Sequence, residues 1–300
     1  MINKLIIAAK GVAMGAADVV PGVSGGTIAL LTGIYPRLIN AITGLNIKSI
    51  KLLLKGNIKE FWRAIDGQFV LPLLIGIVFA FALLAHPIKY AITHYPIPTW
   101  SFFFGLIVAA ALLIIQHIPD KKFRDYLWLI PGILFGLWIG SLASIPFPSS
   151  QTAVLLAGMI AICAMILPGI SGSFILVILG MYEILLTAVK EFHWPTLLLF
   201  ISGAVIGLLA FSRVLKYILT KFYNPTLFLL SGLMIGSLIK VWPWKISNLS
   251  TETLINVMPN QVSEPHTTIA VSMMITAFVL VFFIDYLGQR FSVKNMTNDN

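Results

Sequence analysis

Asp18 to Gly33 reads DVVPGVSGGTIALLTG, and Pro168 to Gly180 reads PGISGSFILVILG. The second stretch repeats the first, because nine of the twenty-two positions from Pro21 to Ile42 are identical to those from Pro168 to Val189. Each copy interrupts a long apolar run with a Pro and small residues, which cannot continue an α-helix and leave backbone N–H groups to be satisfied elsewhere. A helix restarting after each break, at Thr27 and at Phe174, would offer unpaired N–H groups, a positive dipole end and neighbouring hydroxyls to an anion. In the first copy the candidates are the N–H groups of Ser24, Gly25 and Gly26 and the hydroxyls of Ser24 and Thr27. In the second they are Gly172 and the hydroxyls of Ser171 and Ser173, while Pro21, Gly22, Pro168 and Gly169 shape the two turns. The competing use of such hydroxyls is back-bonding to a helical carbonyl.

The rest of the chain fits a membrane setting. Of 300 residues, 58% are hydrophobic and 10% charged, too little polar surface for a water-soluble globule. Apolar runs long enough for helices, with no alternating pattern of a barrel, give an all-α integral membrane protein. The formal charge of +9 comes from basic residues in short loops, which set orientation and meet anionic lipid, so nucleic acid is not expected as a partner. The single cysteine, Cys163, allows no intramolecular disulfide and reads as a small core residue. The segment MINKLIIAAKGVAMGAADVV carries Lys10 inside its apolar stretch and leads into the first motif, so it is expected to be retained.

Two repeats organise the reading. The first, 1–147, holds a broken, re-entrant hairpin (2–43) with arms to Asp18 and from Thr27, then an amphipathic basic surface helix (46–66). Spans follow at about 69–92, 100–118 and 127–144. The second, 148–288, holds a hairpin (151–190), with a short helix on each side of its break, and spans at about 196–220, 226–242 and 266–287; 289–300 is a polar tail. Sliding the chain by 127 residues aligns 69–108 with 196–235 without a gap, pairing Gly76 with Gly203, Lys89 with Lys216 and Tyr90 with Tyr217. The motifs themselves are 147 apart, and the 20-residue difference matches the surface helix, which is then an insertion. A hairpin plus three spans crosses an odd number of times, so the second repeat is expected to be inverted. With both termini cytoplasmic, sixteen of the twenty basic residues fall inside, and only Lys89, Lys190, Lys240 and Lys245 outside.

Charges at membrane depth are costly and point to function. Arg37 is a candidate to neutralise a bound phosphate, and Asp18 or Glu183 to take up and release a proton; a structural ion pair is the alternative, and Arg37 and Glu183 lie on matching turns of the two copies. His86 and Lys89 align with Arg213 and Lys216 at opposite mouths, as gates for an anionic head group or as helix-end snorkelling side chains. No metal-ligand spacing or P-loop is present in the sequence, so neither metal nor cofactor is expected.

GAADVVPGVSGGTIALLTGIYPRLINAI together with LPGISGSFILVILGMYEILL resembles the bacterial polyprenyl-phosphate transporter family, and the resemblance covers essentially the whole chain. It implies a multi-pass protein of the bacterial cytoplasmic membrane, not an enzyme, that returns undecaprenyl phosphate from the outer to the inner leaflet for cell-wall synthesis. It carries over to Asp18, Pro21, Gly22, Ser24, Gly25, Gly26, Pro168, Gly169, Ser171, Gly172, Ser173 and Glu183. The partner is then a polyprenyl phosphate lipid, its head between the two hairpins and its tail in the bilayer; oligomeric state is left open. One alternative is a lipid-pyrophosphate phosphatase, which resembles this architecture but carries a PGxSRSG-type motif. Here Gly172, and Gly25 in the first copy, stand in place of its Arg, and that removes the charge needed for phosphoryl transfer. The other alternative is a transporter of small soluble anions.

Overall fold

The computed structural model describes residues 2–20, 22–142, 150–248 and 253–298. The chain opens with α1 (Ile2–Val19), breaks at the motif, and resumes as α2 (Gly25–Leu31). Gly22 takes a left-handed φ of 87° in the break, a conformation that costs glycine nothing and other residues a steric clash. The second copy repeats this as α10 (Gln151–Ile166), a turn with Gly169 at φ 86°, and α11 (Gly172–Ile178).

The second arm of each hairpin, expected as one helix over 27–43 and over 174–190, is two helices. Gly33 (φ 71°) ends α2 with its N–H on Leu30 O at 3.1 Å, and Ile34 N–H reaches Ala29 O at 3.0 Å. Gly180 (φ 65°) ends α11 in the same way, through Gly180 N to Val177 O and Met181 N to Leu176 O. A left-handed glycine that satisfies the last helical carbonyls is an efficient stop. Helices α3 (Tyr35–Gly44) and α12 (Tyr182–Lys190) follow, α12 bent 110° from α11. Lys10 of α1 donates to Thr32 O at 2.7 Å, which gives its charge a structural role at the end of α2.

The amphipathic insertion is likewise two helices, α4 (Ile47–Leu54) and α5 (Ile58–Ala64), parted at Gly56 (φ 77°). Its apolar side chains Ile47, Leu54, Ile58 and Trp62 remain exposed beside the lysines. Beyond it run α6 (Gly67–His94), α7 (Pro96–His117), the single turn α8 (Phe123–Tyr126) and α9 (Leu129–Ser141). After the second hairpin come α13 (Trp194–Lys221), α14 (Tyr223–Ser237) with a 3-10 turn Leu238–Val241, and α15 (Thr267–Asn298). Helices α6 and α13 are each 28 residues long and begin and end 127 residues apart.

Among the described residues, five helices are long and apolar enough to cross a membrane: Gly67–His94, Pro96–His117, Trp194–Lys221, Tyr223–Val241 and Thr267–Tyr286. The bent pair Gly172–Ile178 and Tyr182–Lys190 raises the number to six if counted as one span. The span expected at 127–144 is helical over Leu129–Ser141, 13 residues, and its expected end lies partly outside the described residues. Among the described residues the all-helical expectation has one exception, an antiparallel hairpin of β1 (Lys245–Asn248) and β2 (Thr253–Asn256), with Lys245 opposite Asn256.

Glycine seams hold the helices together, as they do where lipid removes the hydrophobic drive for helix association. Gly76 of α6 lies against Ala8 O of α1, and Gly203 of α13 against Leu155 O of α10; Gly11 lies against Leu73 O, and Gly158 against Phe200 O. Both contacts of the first pair recur in the second at the repeat offsets of 127 and 147. The remaining long helices pair across the halves: Gly105 of α7 packs on Met274 of α15, and Gly232 of α14 on Leu129 of α9.

Candidate functional site

Breaking α10 at Leu167 leaves its last carbonyls without intrahelical partners. The first hairpin supplies them. Ser24 Oγ lies 3.2 Å from Met165 O and 3.3 Å from Leu167 O, and Tyr35 Oη donates to Ile166 O at 3.1 Å. In return, Gly169 N–H donates to Thr27 Oγ1 at 3.0 Å. Ser24 and Thr27 are buried, so the two motifs meet as one interior hydrogen-bonded seam between residues about 140 positions apart. Gly26 permits the approach, since a Cβ there would sit 2.6 Å from Ile166 O.

The start of α2 is already occupied. Asp18 Oδ1 accepts from Gly25 N at 2.7 Å, Ser24 Oγ accepts from Gly26 N at 3.1 Å, and Thr27 N donates to Ser24 O at 2.9 Å. The expectation that the N–H groups of Gly25 and Gly26 stand open for an anion is therefore corrected: the short polar side chains at the break cap the helix themselves. The second copy differs, because Met165 occupies the place of Asp18 and Phe174 that of Thr27. Its N-cap Ser171 makes no side-chain bond to a backbone N–H of α11, and its hydroxyl instead lies 2.8 Å from that of Ser173 in the first turn. Gly172 packs with its Cα facing α10, where a Cβ would be 2.8 Å from Ala161 O. Pro21 lies outside the described residues, and Pro168 belongs to the turn before Gly169.

Arg37 does not meet Glu183. Its guanidinium grips Asp66 through Nε at 2.6 Å and a terminal nitrogen at 3.1 Å, 4.5 Å above the Phe69 ring, while Glu183 is exposed on α12. Asp66 comes from the end of the insertion, which has no counterpart in the second copy, so repeat alignment gave no hint of it. Of the four expected gate residues, His86 and Lys89 are exposed on α6, and Arg213 bonds Leu209 O of its own helix at 2.7 Å. Only Lys216 reaches another element, with Nζ 3.5 Å from Thr43 Oγ1 of α3. Helix α3 packs against α13 here, and no comparable packing joins their counterparts α12 and α6.

Two cations near the seam were not singled out from the sequence. Lys240 Nζ lies 4.1 Å from the ring centre of Phe174, beside the second turn, and its Cβ is the closest neighbour that a Cβ on Gly22 would meet, at 3.4 Å. Lys245 Nζ donates to Lys240 O at 2.6 Å and lies 4.7 Å from the Trp100 ring centre. Burial, and next the charge of Lys240, pull the Lys245 ammonium down to about 8. The signal was present: Lys240 falls within the run read as a span over 226–242. Among the described residues no cluster of three or more His, Cys, Asp or Glu could hold a metal ion.

The family model described as VCA0040-like: Undecaprenyl phosphate translocase-like matches residues 14–258. The chain is 48% identical over 244 residues to a polyprenyl-phosphate transporter of Vibrio cholerae serotype O1, covering 81% of this chain and 79% of that one. It is 34% identical over 269 residues to a polyprenyl-phosphate transporter of Staphylococcus aureus, covering 80% of this chain and 87% of that one. No solved structure matches.

Proposed function

The chain belongs to the VCA0040-like, undecaprenyl phosphate translocase-like family, and from that premise we propose that it carries undecaprenyl phosphate from the outer to the inner leaflet of the cytoplasmic membrane. It is a multi-pass membrane transporter, not an enzyme, as the names of the family and of both relatives have it. The phosphate head passes beside the seam of the two PG-x-SG turns while the polyprenyl tail stays in lipid. The observation that carries this reading is the direct meeting of the two broken hairpins through Ser24, Thr27 and Gly169. Duplicated breaks joined deep in a helical membrane protein are the usual construction of a transporter substrate site. Gly25 and Gly172, standing where a phosphatase motif carries Arg, weigh against hydrolysis.

In this reading the halves are inverted repeats, with both termini cytoplasmic. The glycine contacts that recur at the repeat offsets, and the exchange of α9 and α15 between halves, support it. Alternating exposure then follows from the unequal packing of α3 on α13 and α12 on α6. Rocking would exchange the two arrangements, so that the α3–α13 side opens as α12 closes on α6. The repeat offsets put Lys190 at the place of Thr43, and Lys89 at that of Lys216. Closing that side brings two cations together, which opposes closure by the empty carrier and favours it with an anion between them.

Leaflet-resolved movement of labelled undecaprenyl phosphate in proteoliposomes tests the function. Wild type is expected to equilibrate the lipid between leaflets, and Thr27→Val to slow it by about tenfold or more, because the buried Gly169 N–H loses its acceptor at about 1–3 kcal/mol. Uptake of inorganic phosphate into sealed vesicles without lipid movement would instead point to a soluble-anion carrier. Asp18, held at the start of α2, is assigned proton exchange during the cycle. Asp18→Asn keeps the size and an oxygen acceptor for Gly25 N–H, so the protein should fold while its transport no longer responds to a pH gradient. A wild-type gradient response in that variant removes the assignment.

A further inference from the structure

We propose that Lys240 and Lys245 form the binding site for the phosphomonoester head group, at the edge of the hairpin seam. This rests on the transport reading above and adds the residues that would hold the charge. Both lysines are half-buried, and none of the ion pairs among the described residues involves either one. A partly desolvated ammonium that none of the described carboxylates pairs with is unfavourable unless an anion joins it. The present contacts compensate only in part, through the faces of Phe174 and Trp100 and through Lys240 O.

A lysine that merely snorkels sends its head toward water. Lys245 does not, since it turns back to the carbonyl of Lys240. The location is equally specific. Gly22 of the first turn packs on Lys240, and Phe174, the third residue of α11, faces its ammonium. One cation thus touches both motifs, and the second is close enough for their charges to interact. A phosphate monoester carries a charge of about −1.5 to −2 at pH 7 and three acceptor oxygens, which two ammonium groups can neutralise and hydrogen-bond together. Neither lysine has a counterpart in the first repeat, where Leu113 and Ile118 stand 127 residues earlier, so the site is single and belongs to one face of the seam.

The full chain in nanodiscs can be titrated with undecaprenyl phosphate, undecaprenol and inorganic phosphate, read by tryptophan fluorescence from Trp100 beneath Lys245. Lys240→Gln and Lys245→Gln are each expected to weaken undecaprenyl phosphate binding about tenfold, and the double variant about a hundredfold. Undecaprenol binding should be unchanged in all of them, which also establishes that they are folded, and Lys→Arg at each position should recover most of the affinity. Wild-type affinity should fall between pH 7 and 9 as Lys245 loses its proton, with Lys240 the charged group that faces it. A double variant that binds undecaprenyl phosphate like wild type overturns the lysine assignment and leaves the transport reading intact. Inorganic phosphate bound as tightly as the lipid overturns the lipid head group as ligand. Wild type that binds no undecaprenyl phosphate at all strikes the transport reading itself.

Discussion

Gly169→Ala is expected to abolish transport and to leave little folded protein. Three costs coincide at this residue. Its φ of 86° puts an L side chain in the left-handed region, at about 1–2 kcal/mol. The new Cβ would lie 2.9 Å from Met234 Cα and 3.1 Å from Met234 N, backbone of the buried helix α14 that cannot turn aside as a side chain could. Overpacking of this kind costs about 1–3 kcal/mol. Retreat of the turn to relieve it breaks the 3.0 Å bond from Gly169 N–H to Thr27 Oγ1, at a further 1–3 kcal/mol or so.

Gly33→Ala provides the contrast. Gly33 has a similar φ of 71°, but a methyl group there would meet nothing within 4 Å, so only the conformational cost of about 1–2 kcal/mol applies. Transport and yield should stay close to wild type. The two variants are compared by the amount of monodisperse protein recovered and by lipid movement per molecule. Equal behaviour of the two would mean that the seam between the hairpins is not what positions this turn.

Tethering α3 to α13 should arrest transport almost completely. Thr43→Cys with Lys216→Cys, in a Cys163→Ala background, places two thiols where Lys216 Nζ and Thr43 Oγ1 lie 3.5 Å apart. A short reducible bifunctional reagent would bridge them in this arrangement, and reduction should restore movement. The counterpart pair, Lys89→Cys with Lys190→Cys, sits on helices without comparable packing here. It should cross-link only in the opposite arrangement, and more readily once undecaprenyl phosphate is supplied. Two-state elements of this kind respond to a ligand only as far as it binds one state better. Full transport with α3 and α13 tethered would rule out rocking at that contact.

The duplicated motif made much of this architecture legible in the chain alone. Hydropathy placed the five long helices, and the offset of 127 anticipated that α6 and α13 share one length and register. The glycines that end α2 and α11 were readable too. Gly33 and Gly180 align in the repeat, yet the apolar residues around them suggested continuous helices over 27–43 and 174–190. The insertion misled in the same way, because its lysine spacing spoke for one helix while Gly56 broke it into two.

What the sequence determined by itself is the helical membrane class, the duplication, and the two helix breaks at the paired Pro-Gly turns. Those follow from apolar run length, from proline and from glycine, all of which act over a few residues along the chain. The tertiary structure alone decided which partner each polar group takes: Asp18 with Gly25, Thr27 with Gly169, Arg37 with Asp66, and Lys240 between the two turns. A buried donor or acceptor must be paired. Within a bilayer the choice of partner is made by whichever segment packs alongside, 142 residues away in the case of Thr27 and Gly169, and no local pattern records it.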